Sequence, residues 1–76
     1  MQNDTLVAVD LAKSVFQVAV SHHPGQVSKN RHFSRTQFAE FLAQLPKATI
    51  VMEACGSAHF WARRMQALHH TPVLLS

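Results

Sequence analysis

The sequence predicts an α/β fold with one mixed five-stranded sheet and two helices. Five short runs rich in apolar, β-branched or aromatic residues have the length of strands. Two longer stretches, one on each side of the fourth run, repeat apolar residues at the spacing of a helix face. The predicted order is therefore three strands, a helix, a strand, a helix and a strand.

The first three predicted strands form an antiparallel meander. Residues 6–9 are a continuous apolar run that ends at Asp10, which is typical of a central strand buried on both faces. Residues 15–20 are β-branched and aromatic, and a short connection joins them to the first strand as a hairpin. Residues 27–33 are more polar and more basic, so we expect them at a sheet edge.

The first predicted helix is marked at both ends. Ser34 and Gln37 have the spacing of a capping box, and Pro46 ends the helix. Phe33 before the cap and Phe38 after it have the spacing of a hydrophobic staple. The apolar residues of its predicted buried face are Phe38, Phe41, Leu42 and Leu45.

The second half of the chain predicts a strand, a helix and a last strand. Residues 49–52 are a second continuous apolar run, which ends at Glu53. Ser57 is a candidate cap for a second helix over residues 58–69, and residues 72–75 begin the last strand. The predicted buried side of this helix carries Ala58, Trp61, Met65 and Leu68.

The connection between the third and fourth strands decides the predicted topology. A right-handed crossover through the first helix returns strand four beside strand one and parallel to it. A mixed sheet of this order, with strands one and four adjacent at its centre, is the ribonuclease H-like (RuvC-like) arrangement.

Composition narrows the class of protein without identifying it. The 76 residues are enough for one small domain, and 47% of them are hydrophobic, as in a globular protein. No run approaches the roughly 20 apolar residues that span a bilayer, so we expect a cytoplasmic protein without a membrane partner. The net charge of +3 favours an anionic partner, but the basic residues are scattered. Only 14% of the residues are charged, which indicates that further protein covers part of the surface.

Two of the four acidic residues close the two most apolar strands. If these strands are parallel neighbours about 4.8 Å apart, Asp10 and Glu53 emerge at the same edge of the sheet. Both carboxylates then reach metal ions about 3.5–4 Å apart, as in two-metal phosphoryl-transfer sites, and such oxygen ligands suit Mg²⁺. The sequence therefore predicts both as catalytic, metal-binding residues. The structural alternative is an Asp that caps a turn and a Glu that stabilises a helix N-terminus.

The residues around both carboxylates resemble one family. Residues 9–13 (VDLAK) and 16–20 (FQVAV) resemble the opening of the DEDD-type transposases of bacterial insertion sequences. These are the insertion-sequence-110 group, relatives of the Piv DNA invertases. Residues 51–62 (VMEACGSAHFWA) resemble the second motif of that family even more closely. The resemblance covers essentially the whole chain, with both motifs in order and on the expected elements.

This resemblance implies a function in DNA transposition or site-specific recombination, with Asp10 and Glu53 as ligands of Mg²⁺. Two further aspartates complete the four-carboxylate set of the family. We expect residues 1–76 to be the N-terminal part of the catalytic domain, and the domain to be incomplete without those aspartates. The implied partners are DNA, an element-encoded guide RNA in some members, and further copies of the full-length protein in a homo-oligomer.

Several other residues have both a structural and a functional interpretation. Lys13 is either a solvated turn residue or a phosphate contact beside the metals. The backbone N–H groups of Gly56 and Ser57 either belong to ordinary capping, which we favour, or hold a phosphate. Cys55 lacks the partners of a nucleophile and is predicted to be a small buried residue. Trp61 is predicted to lie in the core.

The remaining basic residues and the histidines give weaker signals. Arg63 and Arg64 are predicted on a solvated helix face, with nucleic-acid contact as the alternative. The spacing of the six histidines matches no standard zinc motif, and the chain has one cysteine, so we do not expect a zinc site.

Two other functions remain open at this stage. Actin-like sugar or acetate kinases also open with a hairpin and an Asp at the end of strand one. Their phosphate loop needs glycine soon after that Asp, whereas this chain has Leu11, Ala12 and Lys13 there. Alternatively, the chain is a catalytically inactive, truncated remnant that binds nucleic acid or other transposase copies through an exposed sheet edge.

Overall fold

The computed structural model describes residues 5–11, 14–23, 25 and 29–76 of the chain. It contains the predicted elements in the predicted order. They are β1 (Leu6–Asp10), β2 (Phe16–Ser21), β3 (Lys29–Phe33), α1 (Arg35–Gln44), β4 (Thr49–Glu53), α2 (Ala58–Ala67) and β5 (Thr71–Leu75).

The five strands form one mixed sheet in the order β3-β2-β1-β4-β5. The meander β1-β2-β3 is antiparallel, whereas β4 is parallel to both β1 and β5. β1 and β4 are therefore adjacent and parallel, as the crossover rule predicts for a chain that passes through a helix between β3 and β4. The predicted ribonuclease H-like strand order is confirmed.

Both helices pack on one face of this sheet. Successive residues of a strand point to opposite faces, so Val7 and Val9 of β1 lie on the same side as Ile50 and Met52 of β4. Apolar residues of the two helices cover that side and complete a single core. The buried helix residues are Phe38, Leu42, Ala58, Trp61 and Met65.

Three aromatic rings fill the centre of this core. The ring centroid of Trp61 lies 4.8 Å from that of Phe38 and 5.6 Å from that of Phe16, and the Phe16 and Phe38 centroids are 5.3 Å apart. All three pairs meet edge to face, the geometry that aromatic quadrupoles prefer. Each ring comes from a different element, so the cluster ties β2, α1 and α2 together. Trp61 is thus a core residue, as predicted.

The ends of α1 follow the sequence signals. Ser34 accepts a hydrogen bond from the backbone N–H of Gln37, whose side chain in turn accepts from the N–H of Ser34. This reciprocal pair is the predicted capping box. The aromatic contact of Phe33 is with Phe41, at a centroid distance of 5.0 Å. Phe33 thus stacks on Phe41, one helical turn beyond Phe38, the residue with which the staple is predicted.

The ends of α2 differ from the prediction. Ser57 precedes the helix but makes no capping hydrogen bond with its side chain. The helix ends at Ala67, and His69 adopts a positive φ of 70°, in the left-handed region. Leu68 is the residue that caps the end of the helix, and it is exposed. The prediction of Leu68 on the buried side was wrong because the helix ends earlier than its apolar spacing suggested.

His70 takes a buried position in place of Leu68. Its imidazole is 4% exposed and lies between the end of α1 and the starts of β4 and β5. Its Nδ1 accepts a hydrogen bond from the backbone N–H of Ala48 at 3.2 Å. Because Nδ1 accepts, Nε2 carries the proton of the neutral ring and donates to the Leu42 carbonyl at 2.9 Å. One side chain thereby satisfies a helix carbonyl and a loop N–H that are both buried.

The opposite face of the sheet carries no helix in the described part of the chain. Leu6 is 46% exposed, Val73 36% and Leu75 51%. The prediction that β1 is buried on both faces was therefore wrong for this chain, since both helices cover the same side. We call this surface the open face. Neither ten-residue helix is long and apolar enough to cross a membrane.

Candidate functional site

Asp10 and Glu53 are the last residues of neighbouring parallel strands. The register of β1 and β4 pairs Val7 with Ile50 and Val9 with Met52. One step further along both strands lie Asp10 and Glu53, so the two carboxylates leave the sheet at the same end. Neighbouring strands lie about 4.8 Å apart. The edge relationship predicted from the two apolar runs is observed.

Both carboxylates also lie on the open face. The residues before them, Val9 and Met52, are buried against the helices, so strand alternation turns Asp10 and Glu53 to the other side. Both are exposed, and both line one cavity of about 370 Å³. Neither carboxylate is buried in the core, and neither is covered by a helix in the described part of the chain.

The charged side chains among the described residues that line this cavity are Asp10 and Glu53. No lysine, arginine or histidine is among the described residues that line it. Glu53 makes no ion pair with any residue in the described ranges, and Arg63 on α2 does not reach it. In the part of the chain that the structure describes, no third Asp, Glu, His or Cys joins the two carboxylates as a metal-binding group. The described residues thus supply two carboxylate ligands for a cation at this site.

Two amide side chains line the same cavity and were not singled out in the sequence. Gln17 is the Cα partner of Asp10 in the β1–β2 pairing, and Asn30 is the partner of Ala19 in the next pairing. Both are exposed. The sequence signal was a polar residue between Phe16 and Val18 in a strand that is otherwise apolar. This signal alone does not show that Gln17 lies near Asp10, because the register of the hairpin decides which residue is opposite the carboxylate.

Small side chains form the floor of the cavity and leave space above the sheet. Ala8 and Ala19 are direct cross-strand partners, and both line it. Val51 of β4 and Leu75 of β5 form an apolar wall on the far side. The cavity is thus acidic at the sheet edge, has amides on one flank and is apolar on the other.

The segment that follows Glu53 lies at the rim of the cavity. Cys55 is exposed, and its Sγ is 3.7 Å from the Ser57 hydroxyl oxygen. The prediction of a buried cysteine was wrong, since the turn into α2 holds residues 54–56 at the surface. Gly56 is exposed as well, with open space where a Cβ would be. Lys13 falls outside the described residues.

The arginines of α2 lie on a solvated helix face, as predicted. Arg63 and Arg64 are both exposed, and the guanidinium carbon of Arg64 lies 5.9 Å from the ring centroid of the exposed Phe60. This is the range of a cation–π contact. Of the histidines, His70 is structural and hydrogen-bonded within the core.

Comparison with known proteins identifies relatives along almost the whole chain. A probable family 20 transposase of Pseudomonas aeruginosa is 45% identical over 75 residues, which is 97% of this chain and 22% of that protein. The transposase for insertion sequence element IS1328 of Yersinia enterocolitica is 38% identical over all 76 residues, or 23% of its length. The transposase for insertion sequence element IS1111A of Coxiella burnetii is 34% identical over 76 residues, or 21% of its length.

The chain is therefore related to the transposases of bacterial insertion sequences, as its motifs predicted. It spans about a fifth of the length of these curated relatives. No family model matches the chain, and no solved structure matches it. The kinase alternative gains no support, since the named relatives are transposases.

Proposed function

We propose that this chain is the part of a DEDD-type transposase that supplies two of its catalytic carboxylates, Asp10 and Glu53. The observation that carries the proposal is their common position. Both end adjacent parallel strands, face the same side and line the same acidic cavity. Ligands of open α/β sheets bind at this carboxyl end of the strands. The sequence relationship to named transposases makes phosphodiester chemistry on DNA the function that fits such a site.

The donor set fits a hard divalent cation. Carboxylate oxygens are preferred ligands of Mg²⁺, and Asp10 and Glu53 are the charged residues among the described lining of the cavity. Bound there, Mg²⁺ would act as a Lewis acid on a phosphoryl oxygen. Asp10 and Glu53 would hold the ion at the carboxyl ends of β1 and β4, beside the cavity that would receive the DNA backbone.

Two carboxylates are too few for a complete two-metal site. Mg²⁺ demands nearly octahedral oxygen coordination and loses its waters reluctantly. We therefore propose weak Mg²⁺ binding by this chain alone and no DNA cleavage by it. The isolated chain then fits the alternative description, a catalytically inactive segment that binds nucleic acid or other transposase copies.

The open face supports the view that more protein belongs here. Leu6, Val73 and Leu75 expose apolar side chains on the face that carries the carboxylates, and Leu75 also lines their cavity. Further protein that covers them would bury this surface and bring the remaining aspartates of a DEDD set to Asp10 and Glu53. In the longer protein, DNA is the proposed substrate and partner, and the cytoplasm is the proposed location. An element-encoded guide RNA and a homo-oligomer belong to the same proposal.

The proposed metal site can be tested without catalysis. Mn²⁺ is paramagnetic and broadens NMR signals near the ion, so it maps a weak site on the ¹⁵N-labelled chain. We expect selective broadening of the amide signals of Asp10, Glu53 and Ala54, which an excess of Mg²⁺ relieves. Asp10→Asn and Glu53→Gln should each abolish the broadening.

Glu40→Gln is the matched control, because Glu40 is an exposed carboxylate on α1, outside the described cavity lining. This control should broaden as the unsubstituted chain does. Equal broadening in all three variants, or broadening centred elsewhere, would count against the metal assignment.

A further inference from the structure

We propose that Gln17 is a substrate-positioning residue whose side-chain amide donates a hydrogen bond to a phosphate oxygen of the DNA strand at the Asp10–Glu53 site. The inference rests on the proposed function and extends it to a residue that the family motifs did not mark as functional. Its basis is the register of the sheet, the accessibility of the amide and the chemistry of its neighbours.

The register places Gln17 directly opposite Asp10. The two residues are Cα partners in the antiparallel pairing of β1 and β2. Direct cross-strand partners on one face have Cβ atoms about 4.5–5.5 Å apart. Phe16 and Val18 on either side of Gln17 are buried against the helices, so Gln17 points to the open face with Asp10. The amide therefore reaches the space beside the carboxylate.

The amide of Gln17 is available to a ligand. The residue is exposed and lines the cavity that both carboxylates line. Its side chain makes no hydrogen bond with any residue in the described part of the chain. The neighbouring pair Ala8 and Ala19 is too small to fill the space beneath it. A donor of the length of glutamine thus has room to meet a phosphate group there.

A neutral donor suits this position better than a cation would. A lysine or arginine opposite Asp10 would pair with the carboxylate and compete with the metal ion for it. The glutamine amide donates to a phosphate oxygen without neutralising Asp10. It also adds no negative charge that would repel the DNA backbone.

Phosphate contact by Gln17 and metal binding by the carboxylates can be measured separately. The probe is a fluorescein-labelled oligothymidylate, and its dissociation constant is measured by anisotropy with Mg²⁺ present. Gln17→Leu should weaken binding by about tenfold, because a hydrogen bond to a charged group is lost. In the unsubstituted ¹⁵N-labelled chain, the side-chain amide signals of Gln17 should shift when the oligonucleotide is added. Mn²⁺ broadening at Asp10 and Glu53 should stay unchanged in Gln17→Leu.

Gln66→Leu is the matched control, since Gln66 is an exposed glutamine on α2. It should leave the dissociation constant unchanged. If leucine disturbs the amide spectrum of the whole chain, Gln17→Thr replaces it, because threonine is a good strand residue that cannot extend as far. Gln17→Asn, which keeps a shorter amide, should retain part of the binding, whereas Gln17→Leu and Gln17→Thr should not. This order agrees with an amide donor.

Three results would overturn the inference. They are unchanged oligonucleotide binding by Gln17→Leu, no shift of the Gln17 amide signals, and loss of Mn²⁺ broadening in Gln17→Leu. The last result would make Gln17 a metal ligand instead of a phosphate donor. Failure of the proposed function is a separate outcome, in which Asp10→Asn and Glu53→Gln retain the Mn²⁺ broadening.

Discussion

The Nε2 atom of His70 donates a hydrogen bond to the carbonyl oxygen of Leu42 at 2.9 Å, across 28 positions of sequence. The same ring accepts from the N–H of Ala48 through Nδ1. This histidine thus connects the last turn of α1 with the segments that enter β4 and β5, at the opposite end of β4 from Glu53.

His70→Phe should destabilise the fold. Phenylalanine keeps most of the buried volume but leaves the Leu42 carbonyl and the Ala48 N–H without a partner. Each unsatisfied buried group costs about 1–3 kcal/mol, so the loss of both partners should lower the free energy of unfolding by about 2–6 kcal/mol. Urea denaturation followed by circular dichroism measures this change. His59→Phe, at an exposed position of α2, is the control and should stay within about 0.5 kcal/mol of the unsubstituted chain.

His69→Gly should stabilise the chain. His69 has a positive φ of 70°, where glycine avoids the steric cost that a Cβ imposes. We expect a gain of about 0.5–1 kcal/mol in the free energy of unfolding, measured by the same denaturation. His69→Val should shift stability in the opposite direction, because a β-branched residue is poorly tolerated there. Equal stability of the glycine and valine variants would be inconsistent with this backbone geometry.

The two faces of the sheet should respond differently to the same substitution. Val7 is 0% exposed and faces the helices, whereas Val73 is 36% exposed on the open face. Val7→Thr buries a hydroxyl and should cost about 1–3 kcal/mol of stability. Val73→Thr should cost less than about 0.5 kcal/mol and should reduce self-association of the chain. Thermal denaturation and sedimentation velocity measure the two effects, and equal costs would mean that the open face is covered.

The catalytic proposal needs a longer protein. In a chimaera, this chain replaces the matching segment of the Yersinia enterocolitica transposase, to which it is 38% identical. We expect Asp10→Asn or Glu53→Gln to reduce excision of an element by at least about 10²-fold, because transition-state stabilisation by the metal is lost. DNA binding in a gel-shift assay should change little, since affinity comes mainly from phosphate contacts.

Glu40→Gln serves as the control in the same chimaera and should excise normally. Excision that persists in either carboxylate variant would rule out the catalytic role. Loss of DNA binding together with excision would point instead to a damaged fold.

The sequence by itself determined the elements and their order. Continuous apolar runs predicted β1 and β4, and the capping box fixed the start of α1, because these signals depend on neighbours within a few residues. The crossover rule then predicted that Asp10 and Glu53 lie at the same end of neighbouring strands, since it limits how a helix can connect two strands. The relationship to transposases was likewise carried by local motifs around these two residues.

Only the tertiary structure decided which surfaces are covered and which polar residues meet the carboxylates. An apolar run does not tell how many layers pack on a strand, so the exposure of Leu6 and Leu75 could not be read from it. Gln17 lies opposite Asp10 through a hairpin register, and His70 bonds to Leu42 across the core. Both relationships join residues from different elements, and their physical basis is the packing of the whole sheet against its helices rather than any local propensity.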